Sequence, residues 1–306
     1  MWYLFLLLPP ILFAAGNILD KFLTQKIGNT VASVVVMLSG LFGIFVSLAI
    51  FLFNPIFGVS AASIILMMLS SILSSLSVFF YIDALRNDSV LSVAPAMQLG
   101  AIFGYILDIF VFDSNTNTYA LIGCSIVLIS SLMLTLRIEK VEGKDRFDLS
   151  TFFKTSLSSL FLATSGAMFK FFSTSYGYWT VQFYEYLGII LIAIFFILAS
   201  GYRSQFKYHF RKNKFTAAVI LIYILTECVM ILGDLSLNFA STIAPLVQVF
   251  SINSIQPVIL FVVSFLLLKI FPKFDIDVKR HAYNSRSILT VGLIAVGTLM
   301  VVIFGK

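Results

Sequence analysis

Glu227 stands inside the run "ILIYILTECVMILGDL" (220–235), which carries no other charge before Asp234. A carboxyl group so deep in an apolar segment can do two kinds of work. It can couple a proton, or it can anchor a substrate or a neighbouring helix by a hydrogen bond. Lys170 and Glu185 flank the turn at Gly177. At 1.5 Å rise per residue they reach similar depth on adjacent helices. They either pair, as buried lone charges demand, or clamp a substrate. The stretch "QFYEY" (182–186) adds Gln182, Tyr184 and Tyr186, residue types also expected in an interfacial aromatic belt.

Amides and prolines form a second set. Pro95 and Gln98 lie in "VAPAMQL" (93–99), and Pro245 and Gln248 in "IAPLVQV" (243–249), with Asn253, Gln256 and Pro257 following. A proline within a helix removes an N–H and frees a carbonyl. Such backbone is tolerated at membrane depth only where it is buried in protein or lines a cavity. Pro95, Pro245 and Pro257 are therefore candidate kinks or hinges, and the amides either face a pathway or bond a neighbouring helix. Asn17 is a cavity candidate in the first apolar run, and Tyr81 of "YIDAL" (81–85) in the third. Asp20 and Lys21 read as end-of-helix charges that snorkel. Asp83 and Asp234 read as caps or hairpin closures, and Asp108 as lying toward the outer face.

These residues must be positioned by helices. Apolar residues make up 60% of the 306 and charged residues 11%, and mean hydropathy is +1.04. Soluble domains hold about 45–50% apolar and about 25% charged residues. The chain reads as an all-α polytopic membrane protein, because a lipid-facing barrel would show short alternating segments instead. Apolar runs between turn and charge clusters give ten spans: 2–24, 30–53, 62–86, 89–112, 119–138, 151–174, 178–200, 215–240, 241–270 and 287–305. The start, "MWYLFLLLPPILF", lacks a basic n-region and an A-x-A site, so it reads as the first span. Of the 20 Lys and Arg, all but Lys170 and Lys306 fall in or beside the loops that follow odd-numbered spans. The positive-inside rule puts those loops in the cytoplasm and both termini outside. The basic stretch "YRSQFKYHFRKNK" (202–214) then reads as a topology loop, and the net charge of +6 needs no nucleic acid to explain it.

The polar stretch "RIEKVEGKDRFD" (137–148) divides the chain into 1–138, a cytoplasmic linker 139–150, and 151–306. Five spans per half is an odd number, so two related halves enter the membrane in opposite directions. Ser92, Ala94, Pro95 and Gln98 answer Thr242, Ala244, Pro245 and Gln248; "AAGNILDKF" (14–22) answers "ATSGAMFKF" (163–171); "YIDAL" loosely answers "LGDLS" (232–236).

"NILDKF" (17–22), "ALRNDSVLSVAPAMQL" (84–99) and "LIGCSIVLISSLML" (121–134) resemble the EamA-like branch of the drug/metabolite transporter superfamily, over essentially the whole chain. The resemblance implies a 5+5 inverted-topology repeat, a cavity lined mainly by helices 1, 3, 4, 6, 8 and 9, and alternating access. It also allows a homodimer through helices 5 and 10. The chain departs from the family pattern in two places. The region after helix 4 reads "FDSNTN" (112–117), with Asp113 as a stand-in for a family glutamate, and "KIFPKFDIDVKRHAYNSR" (269–286) is unusually long.

No P-loop, H-E-x-x-H or nucleophile elbow is present, His209 and His281 lie in loops, and Cys124 and Cys228 lie in spans. No enzyme activity, cofactor or metal is expected. The expectation is a secondary active transporter of a small metabolite, an amino acid or related amphiphile, in a bacterial inner membrane. Its partners are that small molecule and the lipid bilayer, with no nucleic acid. The alternatives are a nucleotide-sugar or phosphorylated-metabolite exchanger, which would need several cations facing the cavity, and a non-transporting intramembrane enzyme or sensor.

Overall fold

The structure, a computed structural model, describes residues 2–27, 32–54, 56, 58–87, 93, 97–112, 117–135, 139–141, 144–146, 149–211, 216–270 and 285–304. Pro95, Ser92, Ala94, Asp113 and most of the long 269–286 segment, His281 included, lie outside the described residues. The first half contains α1 (Trp2–Ile27), α2 (Ala32–Phe53), α3 (Ala61–Asn87), a 3-10 turn (Met97–Leu99) running into α4 (Gly100–Phe112), and α5 (Thr118–Thr135). A small antiparallel hairpin, β1 (Glu139–Val141) and β2 (Lys144–Arg146), occupies the polar divider. Then come α6 (Leu149–Tyr176), α7 (Tyr178–Leu198), α8 (Ser200–Arg211), α9 (Ala217–Ile243), α10 (Leu246–Asn253), α11 (Gln256–Ile270) and α12 (Ser285–Phe304).

Helix starts follow side-chain chemistry. Ser60 Oγ accepts the Ser63 N–H ahead of α3, Asn117 Oδ1 the Tyr119 N–H at α5, and Thr216 Oγ1 the Val219 N–H at α9. Each satisfies a donor that a helix N-terminus leaves free. The chain reverses between α6 and α7 through Gly177 alone, at φ 80°. Only glycine adopts that conformation without strain.

Among the described residues, six apolar helical stretches are long enough to cross a membrane: Leu6–Leu23, Ala32–Phe53, Ala61–Leu85, Tyr178–Leu198, Ala217–Ile243 and Leu246–Val263, the last formed by α10 with the start of α11. Large apolar side chains cover the outside, with Phe53 84% and Phe110 81% exposed. An apolar surface of this extent is out of place in water. The protein is a polytopic all-α membrane protein.

Between lipid-embedded helices no hydrophobic force acts, so association rests on close packing of small residues and on hydrogen bonds. The four closest pairings are α3 with α6, α1 with α9, α2 with α7, and α5 with α12. Serines line the first: Ser70 Oγ lies 3.1 Å from Ser165 Oγ, and Ser158 Oγ donates to the Ser77 carbonyl at 2.7 Å. In the second, Gly16 faces the Met230 side chain and Gly233 the Phe13 ring, so α1 and α9 run antiparallel. Gly40 of α2 abuts Ala193 of α7. In the fourth, Gly123 and Gly297 bring two backbones together.

Three sequence expectations are corrected. Residues 202–211 belong to helix α8, which also holds His209; they are not a loop. The ninth span is not one helix from 241 to 270. It is interrupted between α10 and α11, and its first residues belong to α9. Pro245 therefore kinks nothing: it is the N-cap of α10, and Ala244 before it is extended at φ −137° and ψ 158°. A residue preceding proline is pushed out of the helical region, so the Ala-Pro pair ends one helix and starts the next. Pro257 does sit beside the second interruption, in the first turn of α11. The ring there removes the N–H that would have bonded Asn253.

A Cβ on Gly297 would stand 2.8 Å from the Gly123 carbonyl oxygen and 3.0 Å from the Val127 nitrogen, and neither backbone atom can move aside. Gly297→Ala will therefore destabilise the protein by about 1–3 kcal/mol, read as a lower thermal unfolding midpoint. Gly292→Ala, which meets nothing within 4 Å, will not lower it. Equal midpoints for the two variants would refute the close approach.

Candidate functional site

The helices enclose a cavity of about 180 Å³. Its wall draws on α1 (Phe13, Asn17, Asp20), α2 (Val35, Ser39), α3 (Ser74, Ser77, Tyr81), the 3-10 turn and α4 (Met97, Gln98, Ala101), and α6 (Leu162). It is completed by α7 (Tyr186, Ile189), α9 (Glu227, Met230, Asp234), α10 (Phe250, Asn253) and α11 (Gln256). The Phe250 ring is held in the wall by two glycines that leave room for it, Gly104 of α4 and Gly166 of α6. Of the sequence candidates, Asn17, Tyr81, Gln98, Glu227, Asn253 and Gln256 come together here.

Glu227 is held firmly. Its Oε1 accepts from Ser39 Oγ at 2.8 Å and from the Tyr223 hydroxyl at 2.5 Å. Tyr223 lies one turn before it on α9, so the pair is a local (i, i+4) contact, and Ser39 reaches in from α2. Asp20 and Asp234 also line the cavity. Neither has a hydrogen-bond or ion-pair partner among the described residues. Asp20 and Lys21 are only 7% and 8% exposed, so they are not snorkelling helix-end charges; Lys21 Nζ donates to the Leu85 carbonyl at 3.3 Å. Asp83 and Asp234, paired by the loose "YIDAL"/"LGDLS" match, take different roles. Asp83 bonds Lys154 at 2.6 Å across α3 and α6, while Asp234 faces the cavity. Three further polar atoms of cavity-lining residues are buried without a hydrogen-bond partner among the described residues: the Tyr81 hydroxyl, the Tyr186 hydroxyl and Asn253 Oδ1.

Other candidates lie elsewhere. Glu185 does not pair with Lys170. Its Oε1 accepts from Ser70 Oγ at 2.7 Å and its Oε2 from Asn238 Nδ2 at 3.2 Å, and Asn238 also donates to Gln182. This buried network joins α3, α7 and α9. Lys170 turns to Asp108, with Nζ 3.7 Å from Oδ1, and donates to the Ala244 carbonyl at 3.0 Å. The ammonium also sits 4.8 Å from the centroid of the Phe112 ring. Asp108 is fully buried, and its Oδ2 accepts the Val247 N–H at 2.6 Å. Tyr184 packs beside Met67, Phe169 and Val181. Gln248 is buried in α10, and neither it nor Tyr184 lines the cavity.

Two cavity acids were legible but unread. Asp20 follows Asn17 by three residues and Asp234 follows Glu227 by seven, spacings that share a helix face. Tyr186 of the "QFYEY" stretch also reaches the cavity, whereas Ser39 carries no such signal. Among the described residues no group of His, Cys, Asp and Glu could hold a metal ion.

No known protein family matches the sequence, and no curated protein does. Solved structures do match, 28 chains among them. One, described only as "Crystal structure of protein", superposes with a TM-score of 0.60 over 96% of each chain at 13% identity. That likeness shows a shared fold and says nothing about a ligand.

The Lys170–Asp108 pair yields a double-mutant test. Lys170→Met leaves a buried carboxylate without its cation, which costs about 3–5 kcal/mol. Adding Asp108→Asn removes the stranded charge yet keeps an oxygen for the Val247 N–H. The double variant will therefore unfold at a higher temperature than Lys170→Met alone. The reverse order would show that the pair is not coupled.

Proposed function

We propose that the protein is a secondary active transporter of a small metabolite, working by alternating access around this cavity in a bacterial inner membrane. The observation that carries the reading is a cavity within a bundle of apolar helices, lined from both halves of the chain and carrying three carboxyl groups in a largely apolar wall. A site of this kind, at the interface of two halves, is where transporters built from repeats bind substrate. The resemblance to the EamA-like branch of the drug/metabolite transporter superfamily points the same way.

The packing supports ten spans arranged as a 5+5 inverted repeat. In this reading α4 with its 3-10 turn is span 4, α5 span 5, α6 span 6, α10 with α11 span 9, and α12 span 10. Exchange every span for the one five places on, and the closest pairings map onto themselves. Spans 3 and 6 become 8 and 1, while 2 with 7 and 5 with 10 are unchanged. The lysines follow the same exchange: Lys21 of span 1 bonds a carbonyl near the end of span 3, and Lys170 of span 6 bonds one just after span 8. The charge pattern supports cytoplasmic odd-to-even loops and outer termini. Outward apolar faces remain on α5 and α12, such as Ile122 and Leu299, and a homodimer would use them.

Glu227 is the proposed proton-coupling residue, because it is the cavity acid held in a fixed geometry from two helices. The nucleotide-sugar alternative is weaker. No Lys, Arg or His lines the cavity among the described residues, and Lys170 is engaged by Asp108.

Proteoliposomes offered a panel of amino acids, polyamines, nucleosides and organic cations will accumulate at least one of them under a pH gradient. Glu227→Gln will lose that accumulation at least tenfold, while the ligand still raises the variant's unfolding temperature. Uptake by Glu227→Gln that stays gradient-driven would remove the coupling role. Absence of uptake and counterflow for the whole panel would favour an enzyme or sensor.

A further inference from the structure

The geometry points to an organic amine as the molecule this cavity takes, with Asp20 and Asp234 as two separate sites for an ammonium. The inference rests on the cavity being the transport site, and three features of the cavity carry it.

The first is charge. Asp20, Glu227 and Asp234 line the cavity, and no Lys, Arg or His lines it among the described residues. Glu227 has its two donors, whereas Asp20 and Asp234 have none. Carboxylates without a counter-charge in a membrane interior are costly, and a bound cation relieves that cost.

The second is the balance of donors and acceptors. The Tyr81 and Tyr186 hydroxyls and Asn253 Oδ1 are buried and unpartnered in cavity-lining residues, each of them less than 9% exposed. Buried polar atoms of this kind are ordinarily satisfied, so each one calls for an explanation. Asn253 Oδ1 can only accept, and so can Asp20 and Asp234 in their ionised form. An ammonium only donates, through three N–H groups, and is the complementary ligand group.

The third is the apolar wall. Phe13, Tyr81, Tyr186 and Phe250 present aromatic rings to the same space. Ring faces attract a cation and pack against its carbon body. At about 180 Å³ the space falls below the roughly 300–1,000 Å³ of drug-sized sites, which favours a compact amine.

The same wall disfavours the parent amino acid. A zwitterion brings a carboxylate into a cavity that already holds three and has no basic residue to receive it. The antiparallel register of α1 and α9 sets Asp20 near the level of Glu227. Asp234 lies seven residues further along α9, about 10 Å at helical rise. A diamine can therefore reach both free acids.

The test uses two pairs that differ only in the carboxylate, cadaverine with lysine and phenethylamine with phenylalanine, on the purified full chain in nanodiscs. Calorimetry will give a Kd at least tenfold lower for each amine than for its amino acid. Asp20→Asn and Asp234→Asn will each weaken cadaverine binding at least tenfold, because the diamine spans both acids. Unliganded unfolding midpoints identify a variant that has simply failed to fold, and the wild-type amine-to-acid ratio needs no variant. Amino acids binding as well as their amines in both pairs, or neither amine binding, would overturn the inference. The two readings fail separately. Counterflow of amino acids without amine binding would leave a transporter with the wrong substrate class. Amine binding without counterflow of any amine would leave an amine site in a protein that does not transport.

Discussion

Where one helix ends and the next begins, the freed backbone N–H and C=O groups need partners, and in a tightly packed turn the protein must supply them. The turn at Ala244–Pro245, between α9 and α10, is closed by one ion pair. Lys170 donates to the carbonyl left at the end of α9, and Asp108 accepts the Val247 N–H that opens α10. Each charge meets a backbone partner suited to it, because a helix C-terminus favours a cation and an N-terminus an anion. The two side chains then neutralise each other at 3.7 Å. This arrangement ties α4 and α6 to the α9–α10 turn, and α10 in turn supplies Phe250 and Asn253 to the cavity. The shape of the cavity wall thus depends on a pair of charges that never enters it.

Small residues do the remaining positioning. Gly16 and Gly233 let α1 and α9 approach each other, which places Asp20 and Glu227 across one space. Ser70, Ser77, Ser158 and Ser165 let α3 and α6 approach with their hydroxyls satisfied by one another and by backbone. Glu185 joins that seam through Ser70. A buried carboxylate there acts as a brace among three helices. Its lone-acid signature in the sequence looks the same as that of Glu227, whose surroundings are different.

That resemblance marks the limit of what the chain reveals before folding. Apolar runs and their bounding charges place most of the long helices within a few residues, since span length follows from bilayer thickness; they do not reveal α8 or the break between α10 and α11. Facing is not legible in the same way. Lys170 and Glu185 stand at similar distances from the Gly177 turn, yet one turns to α4 and the other to α3 and α9. Gln98 and Gln248 have matching motifs, yet only Gln98 reaches the cavity. The azimuth of a helix is set by partners distant in sequence. A bundle with lipid outside and apolar packing inside gives little amphipathic contrast from which to read it. Pro245 was misread for a related reason: a proline can start a helix or kink one, and the preceding residue decides which.

Charge is sorted by depth in this molecule. The chain carries a net charge of +6, but most of its basic residues lie at the ends of the long apolar runs or in the stretches between them. Lys170 stands inside the long helix α6, and Asp108 neutralises it. The acids divide differently. Asp83 holds Lys154 at the end of α3, Asp108 holds Lys170, Glu185 braces a seam, and Asp20, Glu227 and Asp234 face the central space. A protein that is basic overall thus keeps an acidic interior. A diffusing cation gains little from the whole-molecule field, and its attraction begins inside the cavity, where low dielectric strengthens each interaction. Selectivity in such an arrangement is set by which charges the wall leaves unpaired, and the wall leaves carboxylates.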